Sequence, residues 1–356
     1  MTTSNSALIM SRAVAALKLT YVADALSMPV HWFYNPQDIL NAFPGGIRKF
    51  EAAPKQHPHD FLSLPATTGK QIVGDVILKD KKRFWGIPNQ HVHQGMQAGE
   101  NTLNAHCARL VTQTLIENSG QYDANKFLEN YIAFMTSDTP KHPDTYAEAY
   151  HRGFFENLER GLPANKCGLA ADTTASVGGL VTTAPIAISE LLTERDLAKV
   201  QRICREHLWL THPDEALAKV CDAYVELIDT LLFRDQGDDA KIYLAQTAQG
   251  SVGVDLKSLC EKSNNDNDVI GGTFAKACPI KDSWPSLLYL AYKYNADSKA
   301  ALLANTNVGG ENCHRGSVLG VIMGLCNADA IDDLYATLAD ANTIDKEIES
   351  LLEFCV

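Results

Sequence analysis

The chain of 356 residues is 46% hydrophobic and 21% charged, long enough for a large core and without the bias of a fibrous or disordered protein. Its formal net charge of −12 excludes sequence-independent nucleic-acid binding, which needs a basic face, but not a small anion held by a local Arg or a helix N-terminus. Nine cysteines, odd in number and without a CxxC pair, fit reduced thiols; with no signal-peptide pattern and no run of about 18 apolar residues, they predict a cytoplasmic protein with no membrane span.

The predicted elements are helical almost throughout. Residues 7–27 form an Ala-rich helix, capped by Asn5 or Ser6 and closed before Pro29. A β-hairpin or small lobe is expected around 70–87, where Gln71–Leu78 and Arg83–Gly86 flank Lys79-Asp80-Lys81-Lys82. Helices follow over 100–118, 124–136, 144–158, 172–192, 195–207 and 213–233. The Gly178-Gly179 pair inside one of them costs about 1 kcal/mol per glycine relative to Ala, so close packing or a ligand must compensate. Segment 234–272 is polar and poorly periodic and reads as a long surface connection with at most one short helix. Helices resume over 283–294, 297–304, 314–326 and 328–354, the last divisible in two. From Asp329 to Val356 eight acidic residues face one Lys, the pattern of a solvated helical face. No repeat or linker interrupts the chain, so one domain over 1–356 is expected.

Four polar clusters break the helical pattern. Asp24-Ala25-Leu26-Ser27-Met28-Pro29-Val30-His31-Trp32 closes the first helix and places Asp24 and His31 near its end. Gly99 to His106 would open a helix, with Glu100 and Asn101 favourable at its positive N-terminus. Asp172 to Pro185 is rich in small and hydroxyl residues. The fourth, Asn307-Val308-Gly309-Gly310-Glu311-Asn312-Cys313-His314-Arg315-Gly316, carries the most chemistry: paired glycines for a tight turn, then side chains able to bind a metal or an anion or to act as a nucleophile at a helix N-terminus. Adjacent helical residues do not face one another, which weakens a Cys313–His314 dyad. His57-Pro58-His59 and His91-Val92-His93 lack a matching Cys or His spacing and read as exposed loop histidines.

In this order the clusters resemble the ADP-ribosylglycohydrolase family, whose superfamily also contains the J1 crystallins. Asp24-Ala25-Leu26-Ser27-Met28-Pro29 is similar to the family's Gly-Asp-Ala-Leu-Gly-x-Pro. Glu100-Asn101-Thr102 stands where the family has Asp-Asp-Thr, Thr182–Pro185 resembles its run ending in Ala-Pro, and Thr211-His212 its Thr-His segment. Ala304 to His314 resembles Ala-x-x-x-Gly-Gly-Asp-x-Asp-Thr. The resemblance implies an all-α, compact single-domain helical bundle of the ADP-ribosylglycohydrolase type and an activity on an N- or O-ribosyl bond of a small ADP-ribosyl or related ligand.

The departures concern metal. The family holds two Mg²⁺ with five carboxylates; the matching positions here are His31, Gly99-Glu100-Asn101 and Glu311-Asn312-Cys313-His314, and only Glu100 and Glu311 are acidic. Mg²⁺ wants oxygen ligands, so the binuclear Mg²⁺ centre is expected to be absent. At most one ion is expected, among His31, Glu100, Glu311, Cys313 and His314, and a softer one such as Zn²⁺. No signature position has become apolar, so a binding pocket is expected: Glu100 or Glu311 as general acid/base, with Asp24, Asn101, Asn307, Gly309, Gly310 and Arg315 holding the ligand. The alternative is an inactive homologue, a ligand-binding pseudoenzyme or a crystallin-like structural protein.

Overall fold

The computed structural model describes residues 3–62, 79–170 and 175–355. The first helix, α1 (Thr3–Ser27), starts ahead of the expected Asn5 or Ser6 cap and ends where Pro29 turns the chain into a 3₁₀ turn over Met28–Val30. A short α2 (Pro36–Ala42), capped by Asn35, is an addition to the predicted elements. Next come α3 (Leu103–Glu117), α4 (Ala124–Thr136), α5 (Ala149–Glu159), α6 (Thr183–Thr193), α7 (Leu197–Thr211) and α8 (Glu215–Phe233). The rest is α9 (Ala240–Val252), α10 (Leu256–Lys262), α11 (Asp266–Val269), α12 (Ile280–Lys293), α13 (Ser298–Val308), α14 (Asn312–Asn327), α15 (Asp332–Tyr335) and α16 (Ala341–Glu353). Among the described residues only isolated bridges occur and no strand, so the fold is all-α.

Several expectations are corrected. The expected turn Lys79-Asp80-Lys81-Lys82 is a 3₁₀ helix that runs on through Phe84, and Trp85 and Gly86 follow as a turn, so the second arm, Arg83–Gly86, is no strand; the first arm, Gln71–Leu78, lies outside the described residues. Segment 234–272 holds three helices. Its longest, α9, buries only Ala240, Leu244 and Ala248, a stripe too narrow to register as amphipathic periodicity. Of the helix expected over 172–192, residues 172–174 lie outside the described residues; the rest is a 3₁₀ turn (Val177–Leu180) followed by α6, with the glycine pair in the turn rather than mid-helix. Both α3 and α5 begin later than expected, which leaves Glu100, Asn101 and Asp144–Glu148 in the loops before them.

The core is organised around α1 and α14. Residues Asn312 to Cys326 of α14 are all buried, as expected of a helix enclosed on every side. Gly316, Gly320 and Gly324 recur every four residues and so share one face. A Cβ at Gly320 would lie 2.3 Å from the Leu19 carbonyl oxygen, and one at Gly324 2.4 Å from the Ala16 amide. Only glycine admits this approach, and Ala13, Ala16 and Ala23 keep the α1 side equally low. By length and mean hydropathy (1.3) α1 is apolar enough to cross a membrane, which corrects the expectation that no segment qualifies; here it is the central core helix. Outer helices bury one face: α16 buries Ile344, Ile348, Leu351 and Leu352 at helical spacing. Asp123, Asp196, Asp214, Asp239, Asp255 and Asp297 each accept main-chain N–H bonds at a helix start, so part of the negative charge serves as caps. One hydrophobic cluster runs from Ile9 to Leu352. The site forms where the ends of α1 and α13 meet the start of α14.

Candidate functional site

The turn from α13 into α14 is built by Gly309 and Gly310, whose φ values are +78° and +69°. A Cβ on Gly309 would stand 2.1 Å from the Phe33 carbonyl oxygen, and one on Gly310 2.1 Å from that of Lys276. The atoms that close on these glycines are therefore the chain's own carbonyls. Trp32 N donates to Gly310 O (2.9 Å), Gly310 N to Phe33 O (2.8 Å) and Glu311 N to Lys276 O (2.9 Å). These bonds clasp three distant segments and bring His31, Trp32, Cys278 and Glu311 together.

Glu311 is fully buried, and both of its oxygens are occupied. Oε1 lies 3.1 Å from His31 Nε2 and 2.7 Å from His314 Nδ1; Oε2 accepts from Trp32 Nε1 (2.7 Å) and from Cys278 Sγ (2.6 Å). The His314 contact is close but off the hydrogen-bonding direction, so its attraction is chiefly ionic. Burial opposes the Glu311 charge, but His314 and His31 hold its carboxyl well below the usual range. Burial likewise opposes the charge of His314, yet Glu148 and Glu311 raise it to about 10. His31 is pushed down to about 4 by burial, against the pull of Glu311.

Glu148 sits at the start of α5 with one oxygen 3.3 Å from His314 Nε2. His314 is thus flanked by a carboxylate on each ring nitrogen. Burial raises the Glu148 carboxyl to about 7, with Glu311 adding to the rise and His314 opposing it. Asn104 Nδ2 also reaches His314 Nε2 (2.7 Å), and its Oδ1 is held by Tyr150 (2.5 Å) and His151 (3.1 Å).

A second row runs from His31 to a third carboxylate, Asp144. His31 Nδ1 is 2.7 Å from His93 Nε2, and His93 Nδ1 is 2.7 Å from Asp144 Oδ1. Asp144 Oδ2 accepts from Leu103 N at the start of α3. Burial opposes its charge, but His93 and the backbone donors hold its carboxyl well below the usual range. The row Asp144–His93–His31–Glu311 has three polar contacts, and two neutral imidazoles supply two protons. One further positive charge is needed to satisfy all three.

The structure brings His31, Glu311, Cys313 and His314 together and sends the other expected residues elsewhere. Glu100 is half-buried, accepts from Gln97 N (2.7 Å) and lines a separate surface hollow of about 250 Å³ with His106, Lys141, His142 and Asp340. Asp24 is buried and accepts from Thr102 N (2.8 Å), Thr102 Oγ1 (2.6 Å) and Asn101 Nδ2 (2.9 Å), which ties α1 to the start of α3. Asn307 is engaged by both main-chain groups of Ile47 (2.7 and 2.9 Å). Arg315 is buried and donates to Asn305 Oδ1 (2.7 Å) and to the carbonyls of Asn305 (3.2 Å) and Gly309 (2.9 Å), closing the end of α13; its Nη1 has no partner. Contrary to expectation, His57, His91 and His93 are all buried. His57 and His91 brace the turn after α1 through the carbonyls of His31 (2.9 Å) and Pro29 (3.1 Å). Sequence reasoning missed His93, Asp144, Glu148, Trp32 and Cys278 as site residues; the signal for His93 was the His91-Val92-His93 pair.

This donor set does not fit two Mg²⁺ ions. Both oxygens of Glu311, Asp24 and Asp144 already meet protein groups, Asn101 turns its NH₂ inward and Glu100 lies apart, which leaves Glu148 to offer an oxygen among the described residues. Two groups can converge on a softer ion: His31, His93 and Cys313, or His31, Glu311 and His314, each with its donor atoms within 4.8 Å of one another.

Comparison with known proteins agrees with this architecture. A solved structure described as an ADP-ribosylglycohydrolase-related protein complex superposes with a TM-score of 0.62 at 15% identity, covering 98% of this chain and 99% of that one. At that identity the likeness shows the fold. No curated protein matches the sequence. The sequence profile of the ADP-ribosylglycohydrolases matches residues 5–355, nearly the whole length, and the chain belongs to that family.

Proposed function

We propose that the chain is a hydrolase of an N- or O-ribosyl bond in a small ADP-ribosyl or related conjugate, working without the family's paired magnesium ions. The observation that carries this reading is the Glu148–His314–Glu311 row, two carboxylates on either side of one imidazole at the family's C-terminal signature. Glycosidic cleavage uses two carboxyl groups of different protonation. Here Glu311 is held ionised, and Glu148 is poised near neutrality to give a proton to the leaving group and take one from water. The charged His314 supplies fixed positive potential to the centre. Glu311, with both oxygens engaged, orients His31 and His314 rather than attacking.

A second reading, the inactive homologue, is favoured by the same saturation: Asp24 and Glu311 spend their oxygens on the protein itself. The experiment is turnover of a panel of ADP-ribosyl and ribosyl conjugates, with and without EDTA. The hydrolase reading expects EDTA-insensitive release of ADP-ribose or ribose. It expects Glu148→Gln to lower the rate about 100-fold or more, within the range of general acid–base catalysis. No turnover of any conjugate by folded wild-type protein selects the second reading.

A further inference from the structure

We propose that His31, His93 and Cys313 form a site for one thiophilic d¹⁰ metal ion, Zn²⁺ or Cu⁺, on the side of His31 away from Glu311. This does not rest on the hydrolase reading, and it uses His93, which that reading leaves idle.

The first observation is the facing pair of ring nitrogens. His31 Nδ1 and His93 Nε2 are 2.7 Å apart in a region where both side chains are buried. The remote nitrogen of each ring meets a carboxylate: His93 Nδ1 meets Asp144 at 2.7 Å and His31 Nε2 meets Glu311 at 3.1 Å. A carboxylate on the far nitrogen holds the proton there and leaves the near nitrogen with its lone pair, which is how imidazoles that bind metals are oriented. With both protons held on the far nitrogens, the near pair needs one positive charge between them, a shared proton or a metal cation.

The second observation is a third donor at the same point. Cys313 Sγ and one nitrogen of each histidine lie within 4.8 Å of one another, all buried. The thiol makes only a long contact, 3.9 Å, to the Asp24 carbonyl. On binding, the metal–sulfur bond forms as the S–H bond breaks, and the proton leaves to solvent.

The third observation is the surrounding sulfur. Met28 and Met96 pack with Cys313 in a small buried cluster apart from the main core. This dry, polarisable lining suits a soft ion and repels a hydrated hard one. A Cu⁺ thiolate is neutral and accepts three ligands; a Zn²⁺ thiolate keeps one positive charge, which the nearby Asp144 and Glu311 balance. Metal–nitrogen bonds of about 2.0–2.1 Å require the two rings to part slightly, a shift within the reach of side-chain torsions.

The test uses the full-length chain, stripped with a chelator in mild denaturant, refolded, and titrated with Co²⁺ as a spectroscopic stand-in, then with Zn²⁺ and, anaerobically, with Cu⁺. The expected result is one equivalent of Co²⁺ bound, a thiolate-to-cobalt charge-transfer band, displacement of Co²⁺ by Zn²⁺ or Cu⁺, and a thermal midpoint that rises with the bound ion. The preferred displacing ion names the natural one. Cys313→Ser loses the charge-transfer band, and Asp144→Asn, which leaves all three ligands in place, weakens binding by about 10–100-fold. Circular dichroism of each stripped variant establishes that it is folded. Failure of the folded wild-type protein to take up Co²⁺, Zn²⁺ or Cu⁺ stoichiometrically overturns the proposal and assigns the missing charge to a proton. A charge-transfer band that persists in Cys313→Ser overturns it equally. Conjugate turnover is assayed separately, so the hydrolase reading stands or falls without bearing on this site.

Discussion

At the scale of single residues, Asp24 and Glu311, which mark the family here, both meet protein groups with their carboxylate oxygens. Expected to hold a ligand, Asp24 receives three donors from Asn101 and Thr102 and anchors the start of α3. Hydrogen bonds to a buried charge are worth more than neutral ones, and removing the acceptor strands its donors. Asp24→Ala is therefore expected to cost about 3 kcal/mol of stability, read as a lower urea midpoint with unchanged m. A loss near zero would mean that water replaces the carboxylate. Part of this was legible in the sequence: Asp24, His31, Glu311 and Cys313 stood out as chemically loaded. Glu148 and Asp144 did not, because an isolated Glu before a helix and an Asp after a Pro look like ordinary loop residues until folding brings them to a histidine.

At the scale of elements, the glycines divide into two kinds, and a paired experiment separates them. Gly320 faces the α1 backbone, with 2.3 Å between its missing Cβ and the Leu19 carbonyl. Gly250, in α9, has nothing within 4 Å of the same position. Ala has the better helix propensity at both, by about 1 kcal/mol. Gly250→Ala should accordingly stabilise by about 0.5–1 kcal/mol, while Gly320→Ala should destabilise by about 1–3 kcal/mol as α1 is pushed away. Thermal midpoints moving in opposite directions are the check. The helices themselves were readable wherever apolar residues recur at helical spacing, as in α8. They were unreadable in 234–272, where α9 buries three residues on a narrow stripe and α10 and α11 bury one each, Leu256 and Val269.

At the scale of the whole molecule, burial of neutral histidines sets the response to acid. His106, His207 and His212 are each brought from 6.5 to about 3, chiefly by burial, with Arg109 and His142 adding at His106 and His314 and His207 adding at His212. Between these values the unfolded chain binds protons that the folded chain refuses. The stability these three rings contribute is then complete above about 6.5 and falls as the pH drops toward 3, whereas His314, raised to about 10, loses its contribution as the pH climbs from 6.5 toward 10. Each such group contributes a slope of about 1.4 kcal/mol per pH unit; Asp144 acts in the same sense and Glu148 in the opposite one. Urea unfolding between pH 4.5 and 7 should show this rise, and His207→Gln should remove one proton from its slope. A flat profile would mean that these rings are charged in the folded state.

By itself the sequence determined the all-α class, the family, and the glycine turn that opens α14, because helical periodicity and ordered short motifs are local properties. It also showed that most of the acidic positions of the family's magnesium signature carry other residues here, among them His31, Asn101, Cys313 and His314. Tertiary structure alone decided which side chains meet. His31 lies 62 residues from His93 and 280 from Glu311, and His314 is reached from Glu148 in a different loop. Those contacts follow from how α1, α3, α5 and α14 pack, and no spacing along the chain encodes a distance across a core.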